Sequence, residues 1–362
     1  MVRCSNCGRS YPESNVVYRC PVCKGVYGIS ELPLFDANRV DENLPGIWKY
    51  KHAFSMSVNE KIVSLGEGNT PLVWGEVSGR EVAFKCEYLN PTGSFKDRGT
   101  SVLVSFLCSR GVSDALEDSS GNAGASLAAY AARAGISVKV YVPDSASGPK
   151  RKQIEMYGAE VVRILGPRSN ATEAVLREVD KGSVYASHAY LPFNLLGYAT
   201  LAYELVDQLG RAPGTVILPV GQGGLFLGLA CGFKNLIASG VIEQMPKLVG
   251  VQALACAPLW ALFSYGAAGF GIAGEMDTVA EGIKVRFPVR GDDVMRVCDK
   301  LHAELLAVAE EEIIPGRDQL AKRGFFVEPT SAVVWNAIEQ RISSWEEPIV
   351  AILTGSGLKG SY

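Results

Sequence analysis

From residue 72 onward, short apolar runs alternate with longer stretches in which apolar positions recur every three or four residues. The runs at 72–74, 82–86, 115–117, 136–142, 160–164, 184–187, 215–220, 247–252 and 348–353 read as strands. Helical period falls at 101–107, 127–134, 149–157, 171–179, 197–209, 258–263, 294–312 and 331–341. Parallel strands need a crossover, usually a helix, between them. The alternation therefore predicts an α/β chain of two doubly wound, mostly parallel three-layer lobes, with helices on both faces of each sheet. The sequence has no internal repeat, low-complexity tract or flexible linker between the halves.

The first 30 residues follow another pattern. Cys4-Ser5-Asn6-Cys7-Gly8 and Cys20-Pro21-Val22-Cys23-Lys24-Gly25 are two CxxC knuckles separated by twelve residues. Four thiolates on two tight turns suit tetrahedral zinc; free thiols or redox CxxC pairs are the alternative, against which stand the second pair and the lack of a surrounding βαβ pattern. Val16-Val17-Tyr18-Arg19 is expected to be a strand of this zinc ribbon. So short a segment cannot bury enough apolar surface to fold alone, whereas a structural zinc contributes about 10–16 kcal/mol. Residues 31–60 hold Trp48, Tyr50, His52 and Phe54 in weak periodicity and read as an ordered arm over the following body.

At 362 residues, 48% of them hydrophobic, the chain can form two or three domains with a substantial core. A formal net charge of −3 gives no general attraction for nucleic acid or anionic lipid, so the partners expected are small molecules and other copies of the chain. The start, Met1-Val2-Arg3-Cys4, lacks the basic and apolar regions of a signal peptide, and no apolar run approaches the roughly 20 residues of a membrane helix. A soluble cytoplasmic protein is expected. Cys86, Cys108, Cys231, Cys256 and Cys298 are scattered singly and read as packed thiols.

Candidate chemistry centres on Asn90-Pro91-Thr92-Gly93-Ser94-Phe95-Lys96-Asp97-Arg98-Gly99, between a strand and a helix. Asn90, Pro91 and Gly93 interrupt regular structure, and Ser94 is in place to cap the helix. The positive helix end and any burial both disfavour a protonated amine, so Lys96 can be a nucleophile; a solvated lysine in a charged cluster is the competing reading. Ser119-Ser120-Gly121-Asn122 and Gly221-Gln222-Gly223-Gly224-Leu225 each join a strand to a helix, where backbone N–H groups make an anion site. For the second loop a dinucleotide site competes, but the spacing does not give GxGxxG and no lysine follows as in a P-loop.

The lysine decapeptide resembles the cofactor-lysine motif of threonine synthases, within the fold type II pyridoxal-phosphate enzymes related to the tryptophan synthase β chain, and the likeness runs from about Leu65 to Lys359. It includes Leu65-Gly66-Glu67-Gly68-Asn69-Thr70-Pro71-Leu72, Glu328-Pro329-Thr330-Ser331 and Leu353-Thr354-Gly355-Ser356-Gly357-Leu358-Lys359. The resemblance implies a fold type II body over 61–362, with a smaller lobe at roughly 97–205 inserted in the larger, behind a zinc ribbon at 1–30 and an arm at 31–60. It implies pyridoxal 5'-phosphate bound covalently to Lys96, held at its phosphate by Gly221, Gln222, Gly223, Gly224 and Leu225, at its ring hydroxyl by Asn122 and at its ring nitrogen by Thr354. Ser119, Ser120 and Gly121 would receive the α-carboxylate of an amino-acid substrate; Cys4, Cys7, Cys20 and Cys23 would hold a structural zinc; and a homodimer is expected.

The activity implied is conversion of O-phosphohomoserine and water to threonine and phosphate. Two segments depart from that pattern. Leu191-Pro192-Phe193-Asn194-Leu195-Leu196-Gly197 stands where the family has Asn-Pro-Tyr-Arg-Leu-Glu-Gly, and Ala280-Glu281-Gly282-Ile283-Lys284-Val285 is more like threonine and diaminopropionate ammonia-lyases. An ammonia-lyase or β-replacement enzyme acting on another amino acid is the alternative within enzymes, and a silent homologue that binds the cofactor is the alternative outside them.

Overall fold

The computed structural model describes residues 1–54, 61–146, 148–274 and 276–360, so part of the expected arm, 55–60, lies outside the described residues. The chain divides into two compact units, one of residues 1–68, 90–197 and 359–362, the other of 69–89 and 198–358.

The first unit holds a four-stranded, all-parallel sheet in the order Glu160–Ile164, Ser137–Pro143, Asp114–Glu117, Val184–Tyr185. Helices Lys96–Ser109, Asn122–Ala134, Pro149–Met156 and Arg168–Val179 connect or cover these strands. Alanine dominates Asn122–Ala134, which lets the helix pack closely on Lys96–Ser109; Val102, Leu103, Phe106, Leu127 and Tyr130 share one core cluster with Val138 and Val140 of the sheet. Trp48 of the arm is buried in the same cluster, its indole N–H donating to Ser101 Oγ at 2.7 Å.

The N-terminal ribbon packs onto this unit through aromatic rings. Tyr11 meets Phe106 and Phe193 edge-on at 5.9 and 5.1 Å, and those two rings stack at 3.6 Å. Such pairs contribute about 0.5–1.5 kcal/mol each beyond the area they bury. The ribbon's strands are Val2–Cys4 and Tyr27–Ile29, paired antiparallel. Residues 16–19, expected as a strand, form no strand: Val17 exchanges both backbone hydrogen bonds with the Tyr11 hydroxyl, while Tyr18 turns to Tyr185 and Tyr190.

The second unit holds a six-stranded sheet in the order Glu304–Val308, Lys247–Ala253, Thr215–Pro219, Ile349–Ile352, Arg80–Lys85, Leu72–Val77. Every neighbouring pair is parallel except the last, which a two-residue turn makes antiparallel. Helices Gly224–Ala238, Gly291–Leu301, Glu310–Lys322 and Pro329–Arg341 belong to this unit. The helical pattern expected over 294–312 is in fact helix, strand and helix. His302 ends the first helix in the left-handed conformation (φ 51°), and the apolar run from Leu305 to Val308 then pairs as an edge strand with Lys247–Ala253. The α/β architecture and the dominance of parallel pairing agree with the sequence pattern. No helix among the described residues is long and apolar enough to cross a membrane.

Candidate functional site

Lys96 opens its helix, with Nζ 4.9 Å from the centre of the Phe95 ring. The expected Ser94 cap is not formed. Phe95 occupies the cap position with helical dihedrals and no side-chain bond, while Ser94 is fully buried and its hydroxyl meets no partner among the described residues. The turn before the lysine is held by Asp97 instead. Its carboxylate accepts from the Thr92 N–H, the Thr92 hydroxyl and the Ser126 hydroxyl, each at 2.6 Å. Burial pushes Asp97 up to about 6, opposed by those hydroxyls and by the charge of Lys359.

Further bonds pin the same turn. Lys359 Nζ donates to Thr92 O at 2.8 Å, Gln153 Nε2 donates to that oxygen at 3.2 Å, and Asn90 Oδ1 accepts from the Gly68 N–H at 2.9 Å. A lysine held on so fixed a turn, beside an unpartnered buried hydroxyl, can receive a ligand without reorganising its surroundings.

Ser119, Ser120 and Gly121 link strand Asp114–Glu117 to helix Asn122–Ala134, and Asn122 is the first helical residue. Gly121 is the cap residue, and no side chain caps this helix. Helix N–H groups here remain directed at the loop, as an anion site requires. The loop's base is braced by two buried carboxylates. Asp118 accepts from the Tyr185 and Thr172 hydroxyls at 2.8 and 2.6 Å, and Glu117 accepts from the backbone N–H groups of Asp118 and His188. Burial raises the pKa of both acids.

In the second unit, Gly221-Gln222-Gly223 leaves strand Thr215–Pro219, and Gly224 begins helix Gly224–Ala238. Gly223 has φ +87°, and a Cβ there would stand 2.4 Å from Val294 Cγ2, so both the backbone and the space call for glycine. Gln222 does not face outward as a free side chain: its Oε1 accepts from the Val289 N–H at 2.8 Å and ties the loop to the segment before Gly291–Leu301. The arrangement, a glycine turn at the start of a long helix, offers backbone N–H groups of the kind that can hold a phosphate ester. Thr354 follows strand Ile349–Ile352, is buried, and shares a 3.0 Å hydrogen bond with the Ser331 hydroxyl. Ser331 in turn accepts from the Gly355 N–H at 2.8 Å, which holds the Ser331 oxygen in place. Glu328 sits at the cap position of Pro329–Arg341 without a side-chain cap bond.

Cys4, Cys7, Cys20 and Cys23 come together in the ribbon, with all four sulfurs within 4.8 Å of one another. The Cys23 N–H, the largest influence, helps hold the Cys20 thiol down to about 6, toward the thiolate that a metal binds. The donor set and spacing fit a tetrahedral zinc ion.

Three groups near these loops carry no functional signal in the sequence: the buried Ser94 hydroxyl, the Asp97 to Lys359 network, and Arg290. Asp97 and Lys359 stand inside segments marked for other reasons. Arg290 carried no signal, being one of several basic residues between Lys284 and Arg296. Asn194, in the departing segment, is buried, and neither atom of its amide finds a partner among the described residues.

The sequence pattern of the family described as "Pyridoxal-phosphate dependent enzyme" matches residues 63–355. The chain is 34% identical to a threonine synthase of Methanocaldococcus jannaschii, over 99% of this chain and 92% of that one. It is also 34% identical to a threonine synthase of Mycobacterium leprae, over 82% and 83%. Among solved structures it is similar to a T.th. threonine deaminase, with TM-score 0.66 and 26% identity over 81% of this chain and 94% of that one. A maize serine racemase shares the fold, with TM-score 0.69 and 22% identity over 80% and 88%.

Proposed function

Because this chain belongs to the pyridoxal-phosphate dependent enzymes and, within them, to the threonine synthase family, we propose that it is a lyase converting O-phosphohomoserine and water to threonine and phosphate. The observation that carries the reading is identity of 34% along 99% of the chain, in register with a lysine at the head of a helix and a glycine turn at the head of another.

The site residues fit the cofactor: a helix-start lysine beside an unpartnered buried hydroxyl, and a glycine turn whose space a Cβ would fill. When bound, pyridoxal phosphate supplies an electron sink that makes the substrate's Cα–H acidic. Lys96 would hold the cofactor through its amine and would move protons at the substrate's Cα and Cβ. The N–H groups of Gly221 to Leu225 would hold the phosphate, Asn122 would bond the ring hydroxyl, and Ser119, Ser120 and Gly121 would take the substrate α-carboxylate. Thr354, bonded to Ser331, would face the ring nitrogen. A neutral hydroxyl does not keep that nitrogen cationic as an aspartate would, which suits elimination and replacement of a γ-phosphate over transamination. Cys4, Cys7, Cys20 and Cys23 hold a structural zinc, and the protein acts as a cytoplasmic homodimer.

Purified protein is expected to show a visible absorption band with the cofactor that Lys96→Ala lacks, and to release phosphate from O-phosphohomoserine. A second reading, an ammonia-lyase, is favoured by residues 280–285. This segment packs against the glycine turn, with Ile283 Cα 3.2 Å from where a Gly221 Cβ would stand. Keto-acid formation from threonine, serine or diaminopropionate with no phosphate release from O-phosphohomoserine would replace the first reading by the second.

A further inference from the structure

Tyr18 and Arg19 belong to the ribbon, yet their side chains lie against the sheet of the first unit. The Tyr18 ring meets Tyr185 and Tyr190 edge-on at 5.5 and 5.3 Å, and those two rings lie 5.9 Å apart. The Arg19 guanidinium stands 4.8 Å from the centre of the Tyr190 ring and donates to its hydroxyl at 2.7 Å. The ribbon fixes Tyr18 from both sides. Val17 exchanges backbone hydrogen bonds with the Tyr11 hydroxyl, and the Cys20 N–H donates to Gly25 O at 2.9 Å.

What Tyr18 braces is the shortest strand of that sheet. Val184–Tyr185 has two residues, lies at the sheet edge and pairs with Asp114–Glu117. So short a ladder holds a strand weakly, and side-chain packing decides where it sits. The seat of Tyr185 matters because this residue is 3% exposed and its hydroxyl donates to Asp118 Oδ1 at 2.8 Å. Asp118 is the residue before Ser119-Ser120-Gly121, and its other oxygen accepts from the Thr172 hydroxyl at 2.6 Å. A buried bond from hydroxyl to carboxylate is short and directional, so a shift of the Tyr185 ring is passed to Asp118. Contacts thus run without a gap from the ribbon to the foot of the Ser119–Gly121 turn.

We infer that Tyr18 is a positioning residue for the amino-acid substrate: by seating Tyr185 it holds Asp118, and with it the Ser119–Gly121 turn, in register for the α-carboxylate. The ribbon thereby serves substrate binding as well as its own fold. The inference rests on the reading of that turn as the carboxylate site.

The test uses the full chain loaded with pyridoxal 5'-phosphate and reads KM and kcat from phosphate release by O-phosphohomoserine, and the cofactor Kd from its absorption band. Tyr18→Ala is expected to raise KM about tenfold and leave kcat and the cofactor Kd within about twofold, the pattern of a lost contribution to substrate binding. Tyr18→Leu gives the same comparison should the alanine variant not accumulate in folded form. Tyr18→Phe keeps the ring and should stay within about twofold of wild type. Tyr185→Phe keeps its ring but loses the bond to Asp118, and should raise KM by a similar factor. The double variant Tyr18→Ala/Tyr185→Phe should then be no worse than the weaker single one, since both break one route. Unchanged KM in Tyr18→Ala, a phenylalanine variant as impaired as the alanine one, factors that multiply in the double variant, or a cofactor Kd that rises in step with KM would each overturn the inference and leave the carboxylate site standing. If wild type acts on threonine or serine instead, the same constants are read from keto-acid formation with the same expectations. Wild type that acts on none of these would remove the reading of the turn, and the inference with it.

Discussion

Gly197→Ala is the sharpest perturbation of the lysine-bearing helix that the structure offers. Gly197, on helix Phe193–Leu209, passes so close to Lys96–Ser109 that an added Cβ would stand 2.0 Å from Arg98 O, 2.5 Å from its carbon and 2.8 Å from Gly99 Cα. All three are backbone atoms, so no rotamer change relieves the clash. A close carbon–oxygen contact is about 3.3 Å, and the helices must therefore part by about 1.3 Å. Overpacking of this kind costs about 1–3 kcal/mol. Lys96 lies two residues before Arg98 and moves with it, and a misplacement of about 1 Å at a reacting group costs about 10²-fold in rate. The expected result is a lower urea midpoint with an unchanged slope, and kcat reduced about 100-fold with a smaller change in KM. A variant whose urea midpoint and kcat both match wild type would refute the argument, because it would mean that the two backbones are not in contact at this crossing.

Three further outcomes follow from groups already described. Burial raises Asp97 from 3.8 to about 6, so between those values the folded chain keeps a proton that the unfolded chain has lost. Stability then falls as pH rises across that window, by about 3 kcal/mol from this group, and levels off above it. Asp97→Asn should flatten this part of the profile, and parallel urea curves for the two proteins from pH 4 to 7 would contradict it. Lys359→Met removes a buried charged donor from Thr92 O and should cost about 1.5–3 kcal/mol in urea unfolding while raising Asp97 further. Metal analysis should find one zinc per chain, lost in Cys20→Ser together with several degrees of thermal stability; wild type purified without chelator and free of metal would exclude the zinc centre.

How much of this was legible beforehand depends on the range over which each feature is decided. The strand and helix alternation is a local property of period, and strand Glu160–Ile164 was placed to the residue. Strand Glu304–Val308 was not, because its helix stops at a histidine in a left-handed conformation where the usual signal would be a glycine. The four cysteines announced themselves by spacing, yet the ribbon's strands are three residues each and too short for any alternation to register. The Ser94 cap failed for a related reason: a hydroxyl at the right position is only a candidate until Thr92 and Asp97 decide which way the turn faces.

The loops that carry the proposed chemistry were visible as motifs, but what stiffens them was not. Asp97 reaches Ser126, 29 residues away, and Lys359 reaches Thr92, 267 residues away. A motif records which groups must meet the ligand, because their spacing is fixed by a turn or a helix start. The supporting charges are free of that constraint, since any segment that packs behind the turn can provide them. The same logic separates Lys96 from its neighbours: its proposed role follows from position at a helix start, whereas that of Asp97 follows from three donors converging on a carboxylate that burial would otherwise keep protonated. Removing the donors should therefore change the turn's pH response before it changes the fold.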